Sequence, residues 1–246
     1  QDNIGDFMED EDEMENKNPS PLIFNKHVNQ CDYVGVTTND VKNQDKLCDV
    51  SVIYVNSEGY IENADFIKRS VIRLEVGNMP KVNAIVLHRT DSSTTEGTLN
   101  SFGKGVGTHF LISKNGDIYQ VASLFNFTSH VGKIRSRCEE ENTWSEGEKK
   151  IIKSFGWNPK KKHDHEIIKE YPSRYPYNRD SVGIEVVALY NKDNKNWEPA
   201  TTEQMESVKR LVDIIINIYE LGDEDIYEHD KIAYKTAGEG ADLYII

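Results

Sequence analysis

Two histidines and a glutamate have the residue types and the spacing of a zinc site. His88 stands at the end of an apolar run, His229 follows a long amphipathic stretch, and Glu239 comes ten residues after His229. Two histidines and one carboxylate hold zinc with a fourth position open, which is typical of a catalytic rather than a structural ion. A histidine at the end of a strand can also be purely structural, so the spacing alone leaves both interpretations open.

Glu185 is a further candidate because it interrupts the apolar run 182–187. Burying a carboxylate without a partner is costly, so its place in that run has two explanations. Glu185 either points outward from an edge strand, or it is a general base whose pKa is raised beside a metal ion.

The elements that must position these residues alternate between strands and helices. Nearly continuous apolar runs at 82–87 and 182–187 indicate strands that are buried on both faces. Apolar residues at helical spacing predict a helix over 205–219, with a capping box at Thr201 and Gln204 and a stop at Gly222. This alternation predicts an α/β fold in which a central mixed β-sheet is flanked by helices.

Shorter signals predict the remaining elements. An Asn-Gly turn within 114–117 predicts a hairpin between strands at 110–112 and 118–121, and residues 50–61 have the pattern of a second hairpin. We expect a short helix over 62–72 and another that ends at Phe102. The polar stretch 133–180 is long for a compact domain, so we expect it to be functional or mobile.

Charge is distributed unevenly along the 246 residues. The formal net charge of -13 argues against nucleic acid or an anionic membrane as the main partner. Residues 1–20 carry eight carboxylates and one lysine, which predicts a disordered acidic arm. Residues 149–179 carry nine basic and three acidic side chains, so the polar stretch at about 133–180 is basic although the chain as a whole is acidic.

Targeting and redox signals in the sequence are sparse. No run approaches the ~18 apolar residues of a membrane span, so none is expected, and residues 1–20 lack the basic start and apolar stretch of a signal peptide. The cysteines are Cys31, Cys48 and Cys138. They are either ordinary thiols or, in an oxidising compartment, include a Cys31–Cys48 bridge.

Motifs spread over residues 80–243 resemble those of a known family. The sequence reads Ile-Val-Leu-His-Arg-Thr at 85–90, Gly-Thr-His-Phe-Leu-Ile at 107–112, Gly-Asp-Ile-Tyr-Gln at 116–120, His-Val-Gly at 130–132, Ser-Val-Gly-Ile-Glu at 181–185, Thr-Thr-Glu-Gln at 201–204 and Glu-His-Asp at 228–230. Each fragment is weak alone. In this order they resemble the zinc-dependent N-acetylmuramoyl-L-alanine amidases of the amidase-2 type, which are related to peptidoglycan recognition proteins.

The resemblance implies a role for each matching residue. His88 and His229 match the two histidine ligands of one zinc ion, and Glu185 matches the catalytic base. Lys235 matches a lysine that stabilises the oxyanion of the tetrahedral intermediate. Contacts with the substrate are expected from four residues, which are His130, Arg89, Thr108 and His109.

The third zinc ligand is where the chain departs from the family, which usually shows Lys-x-Asp-Pro-Gly or a cysteine. Counting from Lys235 puts the expected aspartate at Ala237, whereas counting from His229 leads to Glu239. We expect Glu239 to be the ligand. Asp242 is the alternative, and a missing third ligand also stays open.

The implied function is hydrolysis of the amide bond between N-acetylmuramic acid and L-alanine in bacterial peptidoglycan. One rival is a non-catalytic peptidoglycan-binding module of the same fold, and another is a zinc peptidase that acts within the stem peptide. The presence of both Glu185 and Lys235 favours an enzyme, because a pure binder needs neither. We expect residues 21–80 to form an N-terminal extension that packs on an amidase domain at 81–246.

Compared with this family, the basic stretch at about 133–180 is an insertion, which we expect to border the substrate cleft. Residues 130–176 further resemble a subgroup of amidases found among type VI secretion effectors. This second resemblance implies an antibacterial protein that works in the periplasm or after secretion. It also implies an immunity protein or a secretion carrier as a possible partner.

Overall fold

The computed structural model describes residues 23–24 and 52–245. The strands are β1 (Ile23–Phe24), β2 (Ile53–Val55), β3 (Ile61–Glu62), β4 (Ile67–Lys68), β5 (Gly77–Asn78), β6 (Ala84–Arg89), β7 (Phe110–Ile112), β8 (Ile118–Gln120), β9 (Asn126–Phe127), β10 (Ser181–Val186), β11 (Tyr190–Asn191), β12 (Asn196–Trp197) and β13 (Ile226–Glu228). The helices are α1 (Thr95–Phe102), α2 (Arg137–Glu140), α3 (Glu146–Ser154), α4 (Pro159–Glu166), α5 (Thr202–Tyr219) and α6 (His229–Ile232). Short 3-10 turns lie at Ile72–Leu74, Asn178–Asp180 and Asp223–Asp225.

A six-stranded sheet with the order β13-β6-β10-β7-β8-β4 forms the centre of the fold. β6 pairs in parallel with β13 and β10, and β10 pairs in parallel with β7. β7 and β8 form the antiparallel hairpin that the Asn-Gly turn predicts, and β4 adds a parallel edge. The prediction of an α/β fold with a central mixed sheet is therefore confirmed.

The three parallel strands β13, β6 and β10 end at the same edge of the sheet. Every residue of β6 is buried, both the predicted apolar positions 84–87 and the polar His88 and Arg89 that follow them. In the register of β6 and β10, Glu185 lies opposite His88, and β13 is followed directly by His229. Ligand sites of α/β proteins lie outside the carboxyl ends of such strands. This arrangement places both histidines and Glu185 at one edge.

The long helix α5 covers one face of the sheet. Its buried face, which includes Val208, Leu211, Val212 and Ile215, packs in the main hydrophobic core with side chains of the sheet strands. The capping box at Thr201 and Gln204 is present. The predicted stop at Gly222 is wrong by a short distance, because the helix ends at Tyr219 and Glu220 takes the left-handed conformation with φ 55°.

The segment that precedes β6 differs from the prediction at one element. β2 and β3 form the expected hairpin, but the predicted helix over 62–72 is wrong. Asn63 and Asp65 have positive φ angles of 62° and 54°, which a helix cannot accommodate, and β4 extends the main sheet instead. The predicted arm at 1–20 and the Cys31–Cys48 pair lie outside the described residues, whereas Cys138 is a free thiol.

The insertion folds into the helices α2, α3 and α4. Its base packs on the sheet through a hydrophobic cluster that includes Val86, Ile134, Tyr175 and Ile232. Much of its positive charge is paired, since Lys160 contacts Asp164, Lys162 contacts Glu139, and Lys169 contacts both Glu148 and Glu166. Among the helices described, none has the length and apolar character needed to cross a membrane.

Candidate active site

A cleft of about 490 Å³ opens at the edge where the parallel strands end. It is lined by residues predicted for the site, namely His88, His130, Glu185, His229, Lys235 and Glu239. From these residues the cleft runs along α1, where hydroxyl side chains and one lysine line it: Thr90, Ser92, Thr98, Ser101 and Lys104. The sequence predicts a helix that ends at Phe102 here, but no functional role for these side chains.

His88, His229 and Glu239 converge at the centre of the cleft. One ligand atom from each of the three lies within 4.8 Å of the other two. Oε1 of Glu239 is 2.7 Å from Nδ1 of His229 and 3.5 Å from Nδ1 of His88. The alternative ligand Asp242 does not join this group. It lines a separate groove beside Trp197.

Hydrogen bonds fix which nitrogen of each histidine faces the carboxylate. Nε2 of His229 is 2.8 Å from the carbonyl oxygen of Val131, so it carries the proton and leaves Nδ1 bare toward Glu239. Nε2 of His130 is 3.2 Å from the carbonyl oxygen of Ser181, which likewise makes Nδ1 of His130 an acceptor. His88 then donates from Nε2 to that atom at 3.1 Å, and its own Nδ1 is bare.

This donor set fits a zinc ion. Two bare imidazole nitrogens and a carboxylate oxygen are acceptors that point at one another, and such a group requires a cation or a proton between its members. Burial is the main reason why the pKa of His88 is lowered to about 3, so this ring is neutral at pH 7. Burial alone would raise the pKa of Glu239, but the neighbouring imidazole rings of His229 and His88 outweigh burial and lower the pKa to about 2. The protonation states of His88 and Glu239 are those that metal ligands need.

Glu185 lines the cleft beside the three residues of this group. Burial raises its pKa to about 8, and the negative charge of Glu239 acts in the same direction. Oγ1 of Thr108 lies 3.3 Å from Oε2 of Glu185, but its single proton is donated to the carbonyl oxygen of Phe110 at 2.8 Å. Thr108 therefore offers the carboxylate only a weak hydrogen bond, which opposes the rise in pKa without cancelling it. The balance leaves Glu185 as a carboxyl group that holds a proton readily.

Gly183 makes room for two of these side chains. A Cβ atom built on it would stand 2.7 Å from Nδ1 of His130 and 2.7 Å from Cγ2 of Thr108. Real Cβ atoms do not approach so closely. The glycine in this buried strand is thus explained by the close approach of the neighbouring side chains.

Two of the four residues expected to contact substrate do not reach the cleft. His109 is fully buried, accepts the backbone N–H of Gly183 at Nδ1 and donates to the carbonyl of Asn126 at Nε2, so its ring nitrogens are both taken. Arg89 turns to the loop that carries Glu239, where it donates to backbone carbonyl groups. The expectation of substrate contact is corrected for both. His130 and Thr108 do line the cleft.

The histidines of the insertion take structural positions. Nδ1 of His163 accepts the backbone N–H of Ile134, and Nε2 of His165 lies 2.7 Å from Glu148. Cys138, Glu148 and Glu166 form a second group of the kind that can hold a metal, but the ammonium of Lys169 contacts both carboxylates there. The place that a cation would take is already filled by this lysine.

Residues 78–241 match the family described as N-acetylmuramoyl-L-alanine amidase. No curated protein matches the chain. Among solved structures, the endolysin and N-acetylmuramoyl-L-alanine amidase LysCS from Clostridium intestinale is 17% identical, with a TM-score of 0.42 over 74% of this chain and 90% of that one. A selenomethionine derivative of AmpD is 15% identical, with a TM-score of 0.46 over 76% and 93%. The amidase AmiD from E. coli, solved with a muropeptide substrate, is 18% identical, with a TM-score of 0.43 over 73% and 57%.

Proposed function

Because the chain belongs to the family of N-acetylmuramoyl-L-alanine amidases, which act on peptidoglycan, we propose that it cleaves the bond between N-acetylmuramic acid and L-alanine with one zinc ion. His88, His229 and Glu239 would hold the ion. The observation that carries this proposal is the convergence of their three ligand atoms within 4.8 Å, in a cleft that Glu185 and Lys235 also line.

The bound ion would supply Lewis-acid chemistry, in that zinc polarises a carbonyl oxygen and lowers the pKa of water. The residues of the chain would manage the protons and the developing charge. A carboxylate of Glu185 would accept a proton from the attacking water and return it to the amine that leaves. A raised pKa suits this exchange, because a group that binds its proton weakly could not hold it between the two steps.

Lys235 would stabilise the oxyanion of the tetrahedral intermediate from the side of the cleft. Its Nζ lies 3.9 Å from the place where a Cβ atom on Gly132 would stand, so the side chain runs close over the backbone of that residue. The hydroxyl groups along α1 would offer donors and acceptors to the polar backbone of a stem peptide.

The experiment that tests the proposal is mass spectrometry of peptidoglycan digests. The zinc-loaded protein is expected to release stem peptides with a free L-alanine amino terminus, whereas Glu185→Ala and Glu239→Ala release none. Cleavage within the stem peptide would show a peptidase instead. Retained binding without any cleavage, under conditions in which another amidase is active, would show a binding module.

The delivery of the protein is a separate proposal, supported only by the resemblance of the insertion to type VI effectors. The protein would act in the periplasm or after secretion, and an immunity protein or a carrier would bind it. Expression in E. coli with and without an export signal tests this. Lysis is expected only with export, and unimpaired growth with confirmed export of an active enzyme would contradict an antibacterial role.

A further inference from the structure

The loop that carries Glu239 is held by two charged side chains, and each of them directly follows a histidine of the candidate metal site. Arg89 follows His88 in β6, and Asp230 follows His229 in α6. Both residues are at least nine-tenths buried, with 7% of each exposed. Neither belongs to the chemistry described above.

Arg89 binds the carbonyl groups of the loop. Its Nη1 atom donates to the carbonyl oxygens of Gly238, Glu239 and Ala241 at 2.9, 3.2 and 2.8 Å. Burial lowers the pKa of the guanidinium, and the carboxylates of Asp242 and Asp230 oppose that change. A guanidinium remains charged in proteins, so the three carbonyl dipoles all point at a fixed positive charge.

Asp230 binds the amide groups of the same loop. Its two carboxylate oxygens accept the backbone N–H of Gly238 at 2.8 Å and that of Gly240 at 3.1 Å. The remaining N–H groups of 238–241 form turn bonds, from Glu239 to Thr236 and from Ala241 to Gly238. Every backbone donor of this stretch therefore has a partner, which leaves the loop with one preferred path.

The loop also lies tightly against the strands that supply the histidines. A Cβ atom on Gly240 would stand 2.6 Å from the carbonyl oxygen of Leu87 and 2.7 Å from the backbone nitrogen of His229. Only glycine permits this approach. The backbone beside Glu239 is consequently fixed relative to both histidines.

From these contacts we infer that Arg89 and Asp230 are positioning residues that preform the loop and deliver Glu239 to the two histidines. The inference rests on the proposed function, because it takes Glu239 to be a metal ligand. Residues that orient ligands from outside the metal shell affect metal affinity by about 10–100-fold. Arg89→Met and Asp230→Asn are expected to weaken zinc binding by a factor in that range.

A double-mutant cycle on zinc affinity tests the inference without any measurement of activity. The dissociation constant for zinc is measured by competition with a chelator for wild type, Arg89→Met, Asp230→Asn and Glu239→Ala, and for each substitution combined with Glu239→Ala. If both residues act through Glu239, they cause no further loss once Glu239 is removed. The inference would be overturned if each substitution weakened zinc binding by the same factor in the Glu239→Ala background as in wild type. Unchanged zinc affinity in the single variants, or a wild type that binds no zinc, would overturn it as well.

Two controls separate positioning from general stability. Arg210→Met removes another arginine that donates to a backbone carbonyl, at Ala64, and Asp225→Asn alters another carboxylate that accepts a glycine N–H, at Gly222. Both should leave zinc affinity unchanged. Arg89→Lys should fall between wild type and Arg89→Met, since one ammonium can donate to several carbonyl groups. If Arg89→Met does not fold, the nearly isosteric Asp230→Asn provides the test.

Peptidoglycan digestion by the same samples distinguishes this inference from the proposed function. A full coupling cycle in a protein that digests no peptidoglycan would refute the proposed function and support the positioning role. If the wild type digests peptidoglycan but the cycle shows no coupling, the proposed function is supported and the positioning role is refuted.

Discussion

Replacing Gly183 by alanine gives a sharp test of how the centre of the site is packed. A glycine in a strand interior is ordinarily unfavourable, and its replacement by alanine ordinarily stabilises a protein by about 0.5–1 kcal/mol. Here the added Cβ would stand 2.7 Å from Nδ1 of His130 and 2.7 Å from Cγ2 of Thr108. Overpacking of this kind costs about 1–3 kcal/mol. The sign of the effect is therefore expected to reverse, with a net loss of unfolding free energy on the order of 1–2 kcal/mol.

The same substitution should reduce activity, because the two displaced side chains support the chemistry. His130 accepts the hydrogen bond that fixes the tautomer of His88, and Thr108 contacts Glu185. Displacing either would disturb the centre of the cleft without removing any of its chemical groups. Zinc affinity and peptidoglycan digestion are both expected to fall.

Urea-induced unfolding of the zinc-free protein measures the free energy, and muropeptide release measures the activity. Gly147→Ala is the matched control, because the nearest atom to a Cβ on this residue of α3 is 3.8 Å away. That variant should be stabilised by about 0.5–1 kcal/mol with its activity unchanged. A Gly183→Ala protein that is as stable as wild type or more so, and fully active, would refute the packing argument.

Three further outcomes are expected. Because the pKa of Glu185 is raised to about 8 in the fold, the folded zinc-free protein holds a proton that the unfolded chain releases near pH 4.5. Stability is thus lost as the pH rises from about 4.5 to 8, and Glu185→Gln should stabilise the zinc-free protein more at pH 8 than at pH 5 in urea unfolding. His130→Asn can retain an acceptor for His88 and should therefore bind zinc more tightly than His130→Phe. Equal zinc affinities of the two variants in a chelator competition would contradict this role of His130. Thr201→Ala removes the cap of α5 and should cost about 1 kcal/mol of unfolding free energy without changing activity.

The strands and the long helix follow from the sequence because their signals are local. The apolar runs around His88 and Glu185 predict buried strands whether or not their neighbours are known, and the capping box of α5 involves residues only three positions apart. The helix expected over 62–72 fails because edge pairing with β8 is a long-range contact. A short amphipathic stretch does not reveal whether it will meet a sheet edge.

In the candidate site, too, some features could be predicted from the sequence and others could not. The types of His88, His229 and Glu185 suggest chemistry, and parallel strands bring them to one edge. The groups that orient the rings of His229 and His130 could not be predicted, because they are the backbone carbonyl groups of Val131 and Ser181, and every residue has such a group. Likewise, nothing in the sequence around His109 shows that its ring joins two backbone segments rather than facing the cleft.

The choice between Glu239 and Asp242 shows why spacing could not decide the third ligand. The two candidates lie three residues apart, and a loop can turn either of them toward the histidines unless its path is fixed. That path is fixed by the hydrogen bonds that Arg89 donates to the loop, by those that Asp230 accepts from it, and by the close packing of Gly240. With the backbone held in this way, Glu239 reaches both histidines and Asp242 lines a groove beside Trp197. The position of the proposed ligand is therefore set less by its distance from Lys235 along the chain than by the residues that follow each histidine.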